Sequence, residues 1–271
     1  MRTSRWLLVL LAVWLGAAGA WAQGLSIEGG LTHENTMMAG ETAEGSIVLR
    51  NGGTRPGTVK AYQTDYLYSA DGKTLYGAPG SAPRSNAKWL TFSPHEAVVP
   101  PGGSATVTYS VQAPADPTLV GTYWSLLMLE IVPDSALAPP EVSGANRGVS
   151  VRQIMRYGVQ IVTHIGTGAR ADLKFADRQL LKDKDGGYFL RLDLENTGER
   201  WLRPTSWVEV FEATGQRLGR CEGRTVRLYP GCSARVELKL PSLSPGNYRA
   251  LVVADNGDEN VFGAQYDLII K

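Results

Sequence analysis

Residues 148–165 read GVSVRQIMRYGVQIVTHI. Val149, Val151, Met155, Tyr157, Val159 and Ile161 recur at every second position, interrupted only by Gln153, while Ser150, Arg152, Arg156, Gln160 and His164 alternate with them. A period of two is that of a strand, with one face apolar and the other polar. The run of eighteen residues outlasts an ordinary strand of about six, which leaves part of it for something beyond its own sheet. The small-residue segment GTGARA, residues 166–171, follows and reads as a linker. The stretch therefore closes one β domain, leads into a second and offers an apolar edge to another protein.

Outward from this strand, composition points the same way. Gly occurs 31 times and Pro 15 times among 271 residues; with frequent Val, Thr and Tyr and no sustained helical period, this predicts an all-β chain with many turns. The N-terminus has two arginines in MRTSR, then fifteen apolar residues from Trp6 to Ala20, then Ala20-Trp21-Ala22. That is the build of a signal peptide cleaved after Ala22, and the run is short of the ~20 residues that span a bilayer. No Cys follows it to carry a lipid, and the C-terminal QYDLIIK has no apolar tail, so an exported protein without a membrane anchor is expected. Removing residues 1–22 takes Lys+Arg from 27 to 25 against 26 acids, a net charge of −1. So even a balance gives no field to attract nucleic acid.

Three short matches recur in order. Asn51-Gly-Gly-Thr-Arg55 is answered by Asn196-Thr-Gly-Glu-Arg200, Pro101–Val107 by Pro230–Val236, and Leu119–Tyr123 by Ser244–Tyr248. The offsets of 145, 129 and 125 shrink because the first copy carries extra residues, chiefly in the stretch Gly77–Ala87. A tandem duplication follows: an N-terminal module over 23–165, a linker over 166–171 and a C-terminal module over 172–271. Each match is a strand end, a turn or a strand start, and the tyrosines Tyr123 and Tyr248 sit where an immunoglobulin-like sandwich has its tyrosine corner. Two tandem immunoglobulin-like β-sandwiches are the expected fold. In the first, strands are expected near 25–34, 43–51, 57–68, 87–93, 104–112, 121–132 and 149–164. Residues 134–148 are too long and too small-residued for a hairpin turn and read as a mobile loop. In the second, tight turns are expected at Lys184–Gly187 and Asn256-Gly257.

Chemistry is scarce. His33, His95 and His164 have no second ligand or nucleophile at a telling spacing, and His164, on the polar side of its strand, reads as solvated. The acidic segment 255–260 reads as a hairpin turn rather than a calcium loop. Gly166-Thr-Gly168 lacks the pattern of a phosphate loop. Cys221 and Cys232, in an exported chain, predict a structural disulfide and not a metal site. Of the tryptophans beyond the signal segment, Trp124 and Trp207 fall inside strands and are expected in the core; Trp89 and Trp201 are freer. No catalytic residue, metal or cofactor is expected.

The segment Tyr123–Pro133, YWSLLMLEIVP, followed by a long loop and then by Gln153 to Ile161, resembles the sixth and seventh strands of the periplasmic pilus-assembly chaperones, the PapD-like family of two immunoglobulin-like domains. The resemblance implies a non-enzymatic chaperone whose seventh strand lends alternate apolar side chains to an incomplete subunit. Its partner-binding residues here would be Val149, Val151, Met155, Tyr157, Val159 and Ile161. It further implies a pilin-like or surface-subunit client, an outer-membrane assembly protein as a further partner, and a periplasmic location. The family's basic pair is missing: no Lys or Arg lies between Gln23 and Leu49, and Gln160 stands at the Lys position, with Arg152 and Arg156 nearby as substitutes. An envelope or cell-surface module that binds peptidoglycan or a protein partner is the second expectation.

Overall fold

The computed structural model describes residues 24–132 and 154–271. The first half holds ten strands: β1 (Leu25–Glu28), β2 (Thr32–Met37), β3 (Thr42–Asn51), β4 (Gly57–Tyr68), β5 (Thr74–Gly77), β6 (Leu90–Ser93), β7 (Glu96–Val99), β8 (Ser104–Gln112), β9 (Gly121–Val132) and β10 (Arg156–Ile165). They form one sheet in the order β1-β3-β8-β6 and another in the order β2-β10-β9-β4-β5, with β7 alongside β4. The second half adds β11 (Leu173–Lys182), β12 (Tyr188–Asn196), β13 (Thr205–Glu212), β14 (Arg217–Thr225), β15 (Ser233–Lys239), β16 (Gly246–Asp255) and β17 (Val261–Ile270). Its sheets are β11-β12-β15 and β14-β13-β16-β17. The fold is two tandem immunoglobulin-like β-sandwiches.

Alternation supplies each core. In β12 the inward Leu190, Leu192 and Leu194 face Leu238, Val236 and Ala234 of β15, while Val208 and Val210 of β13 face Val252 and Ala250 of β16. In the first sandwich Ile47 of β3 faces Val107 of β8, and Leu127 and Leu129 of β9 face Val159 and Tyr157 of β10. Two interdigitated apolar faces are what joins antiparallel sheets into a sandwich.

The duplication is written in hydrogen bonds as well as letters. Asn51 Nδ2 donates to the carbonyls of Arg55 (2.7 Å) and Val99 (3.0 Å), and its Oδ1 accepts from Gly53 N–H (2.9 Å). Asn196 Nδ2 donates to Arg200 and Leu228 (2.9 Å each), and its Oδ1 accepts from Gly198 N–H (2.9 Å). The two Pro-Gly turns close back on these residues: Asn51 N–H reaches the carbonyl of Gly103, and Asn196 N–H that of Cys232. The tyrosine corner is kept in one copy only. Tyr248 donates to the carbonyl of Ser244 at 2.8 Å, whereas Tyr123 packs against Trp89 beneath Arg84.

Several expectations are corrected. The expected first strand is two, because the chain crosses from one sheet to the other at Gly29, whose φ is +88°. Cys221 and Cys232 are free thiols. Cys221 lies on β14 against the core of its own sandwich, while Cys232 is buried among Trp124, Val162 and Tyr229, so the two pack against different apolar clusters. Trp207 is not in the core: with Val208 and Val210 turned inward, it lies on the outer face under the guanidinium of Arg220, 4.0 Å away. Trp124 is buried, but between the sandwiches rather than within one.

That interface is aromatic. Trp124 of β9 stacks on Tyr229 at 4.6 Å and 12°, Trp201 lies 6.2 Å from the same ring, and Tyr68 meets it edge-on. Tyr68 donates to the carbonyl of Arg227, and Thr122 N–H to that of Glu199. Gly121 makes the approach possible, since a Cβ there would stand 2.2 Å from the Glu199 oxygen. His164 sits in this contact rather than in water. It is within hydrogen-bond distance of Thr122 Oγ1 (3.0 Å), lies 5.5 Å from the Trp201 ring and has Glu34 at 3.8 Å.

Candidate strand-docking edge

The defining strand of the sequence is β10, and its two sides differ. β9 pairs with it antiparallel along its whole length, from Arg156 opposite Glu130 to Ile165 opposite Gly121. On the other side β2 pairs with it in parallel, but only from Gln160 onward, with Gln160 opposite Thr32. Upstream of Gln160, over Arg156–Val159, β10 has no strand on that side among the described residues.

The alternation of ladder bonds says which peptide groups lie open. Ile131 N–H donates to the carbonyl of Met155 at 3.0 Å, so Met155, Tyr157 and Val159 turn their peptide groups toward β9. Gln160 N–H donates instead to the carbonyl of Leu31 at 2.9 Å, on the β2 side. By the same parity Arg156 and Gly158 direct their N–H and C=O groups to the side that no described strand occupies. An unpaired row of this kind is a template for another strand. Just before it, Ile154 and Met155 are 44% and 46% exposed, large apolar side chains held at the mouth of the edge.

Several other edges of the molecule are blunted. β11 carries a bulge between Ala176 and Arg178 around Asp177, the one non-glycine residue with positive φ (29°) among those described. β14 shifts register twice against β13. β17 runs unbulged, but Arg178 reaches across from β11 to cover its Tyr266 at 4.8 Å. β1, β5, β6 and β7 are four residues each. Short, bulged or cation-bearing edges resist strand addition.

The expected partner-binding side chains fare unequally. Val149, Val151 and Arg152 lie outside the described residues. Met155 is exposed. Val159 and Ile161 are fully buried in the first sandwich, and Tyr157 packs against the same core while donating to the carbonyl of Leu25 at 2.9 Å. Their apolar side faces the core of the first sandwich, so Val159 and Ile161 have no side chain to lend. Arg156 is exposed and paired with Glu130, Nε to Oε2 at 2.6 Å.

The opposite face of the sheet carries features that periodicity did not single out. Arg156, Gly158 and Gln160 point outward and, with Tyr62, Tyr66, Tyr76, Leu126 and Met128, line a cleft of about 450 Å³. At its inner end Gln160 Oε1 accepts from Tyr229 Oη (2.5 Å) and from Arg227 (3.4 Å); the Arg227 guanidinium also donates to Thr32 Oγ1 (2.7 Å), faces Glu34 (3.7 Å) and lies over Trp201 (4.9 Å). The cation beside Gln160 thus comes from the second sandwich, where no spacing within the first could have found it. Among the described residues no cluster of His, Cys, Asp or Glu is arranged to hold a metal. Segment 255–260 is a hairpin turn closed by Asn256 N–H to the Asn260 carbonyl (3.1 Å), with Asp258 engaged by Arg200.

No family model matches the chain, and no curated protein does. The solved structures that it is similar to include fimbrial chaperones. The structure is similar to that of the class 5 fimbriae chaperone CfaA, with a TM-score of 0.49 and 8% identity, over 89% of this chain and 98% of that one. It is similar to a structure of the CsuC–CsuE chaperone-tip adhesion subunit complex from the archaic chaperone-usher Csu pili of Acinetobacter baumannii, with a TM-score of 0.44 and 13% identity, over 88% and 97%. The E. coli chaperone DraB gives 0.41 and 13%, over 92% and 97%. At these identities the likeness is one of fold.

Proposed function

We propose that this protein is a non-enzymatic periplasmic chaperone or assembly factor that binds an extracytoplasmic protein by adding a strand to β10. The observation that carries this reading is the side of Arg156–Val159 that no strand occupies among the described residues, where Arg156 and Gly158 turn peptide groups outward beside the exposed Ile154 and Met155. Backbone hydrogen bonds supply affinity in such an addition, and side chains at alternate positions supply selectivity. The build of residues 1–22 supports export to the compartment where a pilin-like or surface-subunit client would be met. An outer-membrane assembly protein would be the onward partner. Because Val159 and Ile161 serve the protein's own core, the contribution to the client comes from the strand edge and from residues before Tyr157.

Ile154→Asp combined with Met155→Asp tests this reading, since both side chains are exposed and lie outside the first sandwich's core cluster. Tagged wild type recovered from periplasm is expected to bring down its client, and the double variant to lose at least about tenfold of it. Equal recovery by both would overturn the proposal.

A further inference from the structure

Cross-strand register places Gly158 of β10, Met128 of β9 and Tyr62 of β4 in one row across the outer face of the sheet. The rows on either side are filled, by Arg156, Glu130 and Lys60 and by Gln160, Leu126 and Thr64. Gly158 is therefore a gap in an otherwise continuous row, and it stands on the stretch of β10 that β2 leaves unpaired. A Cβ placed there would meet Met128 Sδ at 3.2 Å and Leu126 Cδ1 at 3.3 Å, so these two side chains lean against the bare glycine and form the floor of the aromatic cleft beside it. Met128 is only 8% exposed, whereas Tyr62 is 38% and Tyr76 63% exposed, which makes the cleft a buried thioether floor under open aromatic walls.

We infer that Gly158 and the cleft behind it form a specificity pocket that takes one aromatic side chain from the strand added to β10. This deepens the strand-addition reading and rests on it. A residue opposite Gly158 on an added strand must point to the same face of the sheet, because facing residues of paired strands share a side. With no side chain at Gly158, an aromatic ring in that position leans across the glycine, covering its bare backbone, as aromatics do beside glycines on edge strands. There it reaches the Met128 sulfur, a favourable contact for an aromatic edge, and the Tyr62 ring lies beyond. A Val or Thr at the same position covers the glycine without reaching the cleft. The partner segment is thus an extended strand with a Phe, Tyr or Trp at the one position that faces Gly158.

The test uses the full exported chain and ten-residue peptides of alternating Val and Thr with Lys at each end. In one peptide series a single Phe is moved through the successive positions, and binding is followed by titration calorimetry. The expected result is that one Phe position binds wild type at least about tenfold more tightly than the all-Val/Thr peptide. That gain disappears in Gly158→Val, while the all-Val/Thr peptide binds both proteins alike. Met128→Ala, which leaves β10 untouched, is expected to reduce the same gain. Equal binding of every peptide, or a gain that survives both substitutions, would overturn the pocket and leave strand addition standing. Failure of all peptides to bind would overturn strand addition and the pocket with it.

Discussion

At the scale of single residues, Asn51 and Asn196 show how a repeat is kept by geometry. Each closes the loop after its strand with three hydrogen bonds, and both side chains are buried. Replacing either by Ala leaves buried backbone groups unpaired, which costs about 1–3 kcal/mol per orphaned group. Asn51→Ala and Asn196→Ala are therefore expected to destabilise by about 2–3 kcal/mol each in urea unfolding, whereas a loss under 0.5 kcal/mol in either would show that its loop does not depend on the amide. His164 is the residue that gives the interface a pH dependence. Burial lowers its pKa below the ordinary histidine value, against the opposing pull of Glu34. The unfolded chain then binds its proton more readily than the folded one, so the stability tied to a neutral His164 is complete above about pH 6.5 and is lost as pH falls through that value toward the folded pKa. The slope of stability against pH between 7 and 5 should flatten in His164→Gln; an unchanged slope would assign it to other groups.

At the scale of elements, what was legible in the sequence was whatever depends on near neighbours along the chain. Strand periodicity located β3, β4, β8, β9 and β10, and the Asn-x-Gly and Pro-Gly turns located their ends, because a pleated strand repeats every two residues whatever it packs against. What the pattern of β10 could not reveal was which side of it is inside. An apolar side reads the same whether it meets a partner or the opposite sheet of its own sandwich, and in Val159 and Ile161 it meets the latter. Nor could periodicity show that β2 pairs in parallel with β10 and stops at Gln160, since a parallel neighbour more than a hundred residues away leaves no local mark. Gly158 was visible as a residue but not as a gap. It acquires that meaning only when Met128 and Tyr62 stand beside it.

At the scale of the molecule, the contact between the two sandwiches gathers around one ring. Tyr229 is 1% exposed, stacks on Trp124 from the first sandwich and donates to Gln160 on β10, whose Oε1 also accepts from Arg227. None of these pairings has a sequence signature, because each joins residues from different repeats. Tyr229→Ala removes a buried aromatic side chain, a loss of about 3–5 kcal/mol in a packed core. Calorimetry is expected to resolve two unfolding transitions in the variant where wild type gives one, and a single transition at lower temperature would contradict the coupling. The same joint holds β10 in place, with its upstream edge unpaired among the described residues. Amide hydrogen exchange of β10 in the purified protein tests that edge most directly. Arg156 and Gly158 are expected to exchange at least about tenfold faster than Tyr157 and Val159, and to slow to the same level once a strand-forming partner is bound. Equal protection of all four amides in the free protein, or fast exchange of Arg156 and Gly158 in the complex, would contradict it.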